Sequence, residues 1–176
     1  MRIEYYDALS RFFHWVMAAV IIYATIAGFG MHWFEDNIPV HAFLSEVNMS
    51  LATIGAALFV ARFVWKYFRI EPVRSYELAR HQRSLAKMTH ALIYFAMFVV
   101  FFSGFLMLEK PYRFFWLFQI PNLITDAAIN HFFLVMHRAA CIGLTFIVLA
   151  HIAAVVTHQL RRKNVLETML PKHDMI

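Results

Sequence analysis

Charge is scarce in this chain. Of its 176 residues only 15% are Asp, Glu, Lys or Arg, while 61% are hydrophobic. A soluble domain averages about a quarter charged and about half apolar, so this composition excludes a disordered chain and an ordinary cytosolic enzyme. Cysteine occurs once, which excludes a disulfide scaffold and any cysteine-rich zinc or iron–sulfur site. Five glycines and five prolines are too few for a collagen-like fibre. No internal repeat, low-complexity run or Gly/Ser linker divides the chain, which reads as one domain over residues 1–176.

What the chain has is length of apolar sequence. A helix needs about 20 such residues to cross a bilayer. Runs of that length fall at about 12–31, broken only by His14, and at 47–67, with Arg62 and Lys66 at the far end. Two more fall at 88–108, containing His90, and at 132–156, containing His137, Arg138 and His151. None alternates with period 2, and open sheets cannot cross lipid. The expected fold class is therefore an all-α membrane protein, a four-transmembrane-helix bundle. The first run exceeds the apolar core of a cleaved signal peptide and no small-residue cleavage site follows it, so it is expected to remain. Gly28 and Gly30 read as the end of its helix.

The loops between the runs give an orientation. Lys and Arg exceed Asp and Glu by 16 to 11, a net charge of +5. In a soluble domain that excess would suggest nucleic acid. Here the basic residues lie between apolar runs, so a lipid bilayer is the expected partner. Arg62, Lys66, Arg69, Arg74, Arg80, Arg83 and Lys87 follow the second run, and Arg161, Arg162, Lys163 and Lys172 follow the fourth. Between the first and second runs there are only Glu35, Asp36 and Glu46, and between the third and fourth the cations are Lys110 and Arg113. The positive-inside rule then places both termini and the middle loop in the cytoplasm. Trp15, Trp33, Trp65 and Trp116 fall near span ends, as an aromatic belt requires. The aromatic segment 111–121 is too short to span and is expected along the outer interface.

Ten histidines are out of keeping with so apolar a chain. An ionisable residue inside a span is costly and marks a functional site by default. His14, His90, His137 and His151 qualify, and His158 lies at the inner edge of the fourth span. His32, His41, His81, His131 and His173 read as interfacial or solvated. His137 and His151 are 14 residues apart, nearly four turns, which puts them on one face about 21 Å apart along the axis. One ion cannot bridge that distance, and zinc motifs on helices use much shorter spacings. Two stacked haems, each taking one imidazole from the fourth span, match it. Ala140, Cys141 and Ala154, one turn beyond, leave room for a flat macrocycle. The bland alternative is a pair of buried histidines bonded to backbone or hydroxyls across the bundle. By depth, His14 and His151 can meet on an inner iron. His137 needs a partner at the outer level, which His90 cannot be; His90 could line the inner haem, bond a propionate or shape a pocket.

These residues resemble the bacterial cytochrome b561 family, related to the b-type subunits of nickel hydrogenase and formate dehydrogenase. The features that carry the resemblance are His14-Trp15 in the first span, His90 in Thr-His-Ala-Leu-Ile-Tyr, and His137, His151 and His158 at spacings of 14 and 7 before a basic cap. The resemblance covers nearly the whole chain. It implies a di-haem b cytochrome of the bacterial inner membrane that moves electrons between quinone and a partner. The inner haem iron would be held by His14 and His151, and the outer by His137 and a histidine early in the second span. That last position falls on Asn48, and the glycine expected four residues later is Ala52. Asn is not a normal haem ligand. The outer haem is thus expected to be absent or held by His137 alone, bound by Met49, or bound by His41. An altered outer site is the preferred reading.

One branch of the family, similar in length, oxidises superoxide at the outer face and reduces ubiquinone, which implies the same activity here. Steering an anion would call for a basic outer surface. Lys110, Arg113 and Arg138 stand against Glu35, Asp36, Glu46, Glu109 and Asp126, so charge gives that reading no support. The expected function is one-electron transfer from an outer, periplasmic donor to the quinone pool. His158, seven residues beyond His151, is the residue expected to bond a quinone carbonyl and deliver a proton. No side chain is assigned a covalent catalytic role. The rivals are a haem-binding anchor that docks a separate redox subunit and a haem-free channel. A transporter would show Gly/Pro-interrupted half-helices, which are lacking.

Overall fold

The computed structural model describes residues 5–70, 79–161 and 165–170. Arg74, Arg162, Lys163, Lys172 and His173, all used in the charge and histidine readings above, lie outside the described residues. The chain forms four long helices, α1 (Ala8–Gly30), α2 (Ile38–Trp65), α3 (Arg80–Leu106) and α4 (Ala127–Leu160). Each is long and apolar enough to cross a membrane. The expected fold class holds: an all-α, multi-pass membrane protein.

Side chains set the helix starts. Asp7 caps α1, accepting the Ser10 N–H at 2.8 Å and the Ser10 hydroxyl at 2.7 Å. Asn37 caps α2 from Val40 N–H, with Pro39 in the first turn, where a missing N–H does no harm. Asp126 caps α4 by accepting from Ala128 and Ile129. Caps satisfy the donors that a first turn leaves over. The Asn37 cap also explains why α2 begins at Ile38 rather than near 47; α3 likewise outruns the hydropathy reading, beginning at Arg80 rather than near 88, though no side chain caps it. Hydropathy marks only the stretch that tolerates hydrocarbon, whereas the helix can run beyond it.

α1 packs on α2 and α3 on α4, while α2 and α3 meet more sparingly. At mid-height Met17, Phe59, Tyr94, Met97 and Leu144, drawn from all four helices, form one buried cluster. Gly55 lets α2 approach: a Cβ there would lie 2.9 Å from Val20 Cγ1 and 3.2 Å from the Phe101 ring.

Both described ends of the chain meet at one end of the bundle, here the terminal end. A 3₁₀ turn, Leu166–Met169, lies against the start of α1. Arg11 donates to the Leu170 carbonyl at 2.7 Å and the Trp15 indole to the Met169 carbonyl at 2.9 Å. The Trp65 indole donates to Asp7 and Ser10.

The opposite, hairpin end holds two short antiparallel strands, β1 (Tyr112–Phe114) and β2 (Phe118–Ile120). The segment expected along the outer interface folds as a hairpin docked on α2. Its turn puts Phe115 and Trp116 at φ 43° and 62°, a region that costs a bulky residue about 1–2 kcal/mol. Fully buried Ser50 offsets this by accepting the Phe115 N–H at 2.9 Å, and Trp116 stacks on Phe43 at 5.4 Å. Neither device is visible in the local sequence, which lacks the Asn-Gly signature of such a turn.

Candidate functional site

The mid-height cluster separates two polar levels. On α4 Leu144 lies seven residues from His137 on one side and seven from His151 on the other.

At the hairpin end a cavity of about 600 Å³ opens between all four helices, within the range of cofactor sites. His137 lines it from α4, Gly104 from α3, Thr25 from α1, and His41, Asn48 and Met49 from α2. Tyr112 of the hairpin closes part of it and bonds the Thr53 hydroxyl.

His137 is held by α3. Its Nδ1 lies 3.0 Å from the Val100 carbonyl and 3.2 Å from the Ser103 hydroxyl. A carbonyl only accepts, so Nδ1 carries the proton and Nε2 keeps its lone pair. That is the arrangement a ligating imidazole requires. Nε2 lies 3.4 Å from Cys141 Sγ, one turn along α4. The ring fits because residue 104 is glycine; a Cβ there would stand 3.2 Å from His137 Cε1.

Across the cavity the Asn48 Oδ1 is buried without a partner among the described residues. The early start of α2 brings His41 into the cavity wall as well. His41 had read as an interfacial residue; it joins the wall because its helix begins nine residues before the apolar run does. His32 bonds Glu35 at 2.7 Å at the mouth, and His131 and His81 are exposed.

At the terminal end His14, His90 and His151 share one level. The His90 and His151 rings stand edge to face, 5.3 Å apart. His14 is an electrostatic neighbour of both. Arg62 connects this level, donating to the Phe13 carbonyl at 3.0 Å, to Tyr94 Oη at 3.1 Å and to His14 Nδ1 at 3.2 Å. Lys66 lies over the same Tyr94 ring at 5.0 Å. His158 lies in the last turn of α4, half-buried, its Nδ1 without a partner among the described residues.

The two imidazole sites are held differently. His137 offers its Nε2 lone pair only to the Cys141 thiol at 3.4 Å, a weak donor, whereas His14 has its Nδ1 lone pair engaged by a guanidinium that can only donate. For His14 to ligate through Nε2, Arg62 must release it. No Asp or Glu pairs with Arg62 among the described residues, so an anionic group entering here would find a ready partner.

The sequence reading missed three contributors. Arg62 was taken as a topology signal; a cation inside an apolar run was the clue. Ser103 and Gly104, which seat His137, carry no local signal, because their role lies in a contact 34 residues away. Among the described residues no three His, Cys, Asp or Glu side chains converge on a metal-sized point.

A family model described as prokaryotic cytochrome b561 matches residues 5–172. No curated protein matches the chain.

Proposed function

Because the chain belongs to the prokaryotic cytochrome b561 family, whose members are membrane carriers of electrons and haem b, we propose that it passes single electrons between a donor at the hairpin side and the quinone pool at the terminal side. When bound, haem b supplies the one-electron exchange. The chain supplies ligands, a dry sheath and the end groups.

The observation that carries this reading is the division of the histidines within the spans into two levels by the apolar cluster around Leu144. On the terminal side His14 and His151 would hold one haem, with His90 against His151, and Arg62 would supply a cation for a carboxylate of the cofactor. On the hairpin side His137 would hold a second haem in the cavity. The apolar layer between them is a low-dielectric medium, in which a charge at one level would be sensed at the other more strongly than across water.

At the terminal edge the unpartnered Nδ1 of His158 suits a quinone carbonyl, and the ring can take up a proton from the adjacent aqueous phase. Arg69, Arg80, Arg83 and Lys87 lie between the apolar stretches of α2 and α3, and this charge bias supports that side facing the cytoplasm of a bacterial inner membrane. Superoxide is one donor that the family branch brings forward. At the cavity mouth Arg138 favours an anion while Glu35 opposes it, so charge does not select it.

Haem content and reduced-minus-oxidised spectra of purified wild type, His14→Ala and His137→Ala test the assignment. Each variant is expected to lose one haem and keep the other. An unchanged haem content in His14→Ala would remove the terminal-side pairing. Quinone reduction by superoxide, and quinol oxidation, in the isolated chain test the substrates.

A further inference from the structure

We propose that the iron of the hairpin-side haem has a free coordination position open to a small diatomic ligand, and that Asn48 is the residue that meets this ligand. The inference rests on the reading above that the cavity holds haem.

Three observations carry it. First, His137 alone in the cavity wall is fixed as a ligand, its Nδ1–H on the Val100 carbonyl and its ring seated on Gly104. Second, α2, which supplies the facing wall, offers Ser45, Asn48 and Ala52 along one stripe of the cavity. Their spacing of three and four residues keeps them on one face, and none is a haem ligand. His41 stands seven residues before Asn48, about 10 Å along the helix axis. Third, the Asn48 carboxamide has a buried Oδ1 that nothing in the described chain satisfies. A buried polar atom left unpaired costs about 1–3 kcal/mol, so the amide is a group waiting for a partner from the cavity. A carboxamide can turn either end to the cavity, and its NH₂ can donate to the outer atom of a bound diatomic. A cavity of about 600 Å³ with His137 in one wall and the neutral Asn48 carboxamide in another is thus suited to a small ligand.

Carbon monoxide is the probe. Added to dithionite-reduced wild type, it should shift the Soret band of part of the haem, and the shift should vanish in His137→Ala. Asn48→His should close the position, giving a fully low-spin spectrum and at least tenfold weaker carbon monoxide binding. Asn48→Leu should still bind but raise the C–O stretching frequency, because a donor has been removed. No carbon monoxide binding in wild type that holds both haems would overturn the proposal, with Met49 or His41 then the closing ligand. So would undiminished binding in Asn48→His. If instead His137→Ala keeps all its haem, the cavity reading itself fails, and the outcome is distinct from a closed iron.

Discussion

At His137 a single ring nitrogen decides what the residue can do. The Val100 carbonyl fixes the proton on Nδ1, and the absence of a side chain at Gly104 lets the ring lie where that bond forms. Gly104→Ala would force the ring back by a few tenths of an ångström. It would lengthen the 3.0 Å bond while leaving His137 present. Disturbing a group that orients a ligand typically lowers affinity about 10–100-fold. The variant is therefore expected to lose the hairpin-side haem during purification and to retain the terminal-side one, as read by haem content per chain. Equal retention of both would show that the seat on α3 does not matter. Arg62 makes the converse point: its cation bonds only neutral groups within the described chain, and by donating to His14 Nδ1 it leaves the ring proton on Nε2, the nitrogen that ligation would need.

Among the elements, α1 is the one whose start ties the terminal end together. Asp7 caps it and also receives the Trp65 indole of α2. Partial burial opposes ionisation of the Asp7 carboxyl. The bonds from the Ser10 hydroxyl and N–H and from Trp65 outweigh this and hold it below its ordinary value of 3.8. The sign follows from linkage. The folded state favours the carboxylate, so the stabilisation is fully present above pH 3.8 and fades as pH falls through the lower folded value. Asn caps helices about as well as Asp, so Asp7→Asn isolates the charge. Thermal unfolding of the two proteins in detergent should differ at neutral pH and converge in strong acid. A constant difference down to the acid limit would assign the effect to shape rather than charge. The hairpin is the other element with a purpose beyond its length: it sets Tyr112 against the cavity and is pinned by Ser50 from beneath.

The whole molecule is a polarised object. One end gathers cations, a tail turn and the histidines His14, His90, His151 and His158; the other gathers acidic loops, the hairpin and the cavity. A fluorescent protein fused to the C-terminus should fold and fluoresce if that end is cytoplasmic, and an alkaline phosphatase fused there should be inactive. Active phosphatase would invert the bundle and put the cavity on the inner side. α1 and α2 pack as one unit and α3 and α4 as another, and the cavity opens between residues of both pairs.

Much of this was written in the chain. Four apolar runs, the charge bias of the loops and the spacing of His137 and His151 are local or periodic features, and they determined the helical bundle, its membrane character and the levels of its histidines. Asn48 in place of an imidazole was equally legible. Other matters depended on groups remote in sequence meeting in space. The tautomer of His137 is set by a carbonyl on another helix, and the entry of His41 into the wall by a cap at Asn37. The fold of the hairpin is set by a hydroxyl on α2, and the tie of Arg62 by a carbonyl on α1. A sequence records which donors and acceptors exist; only the packed chain decides which of them lie within hydrogen-bonding distance.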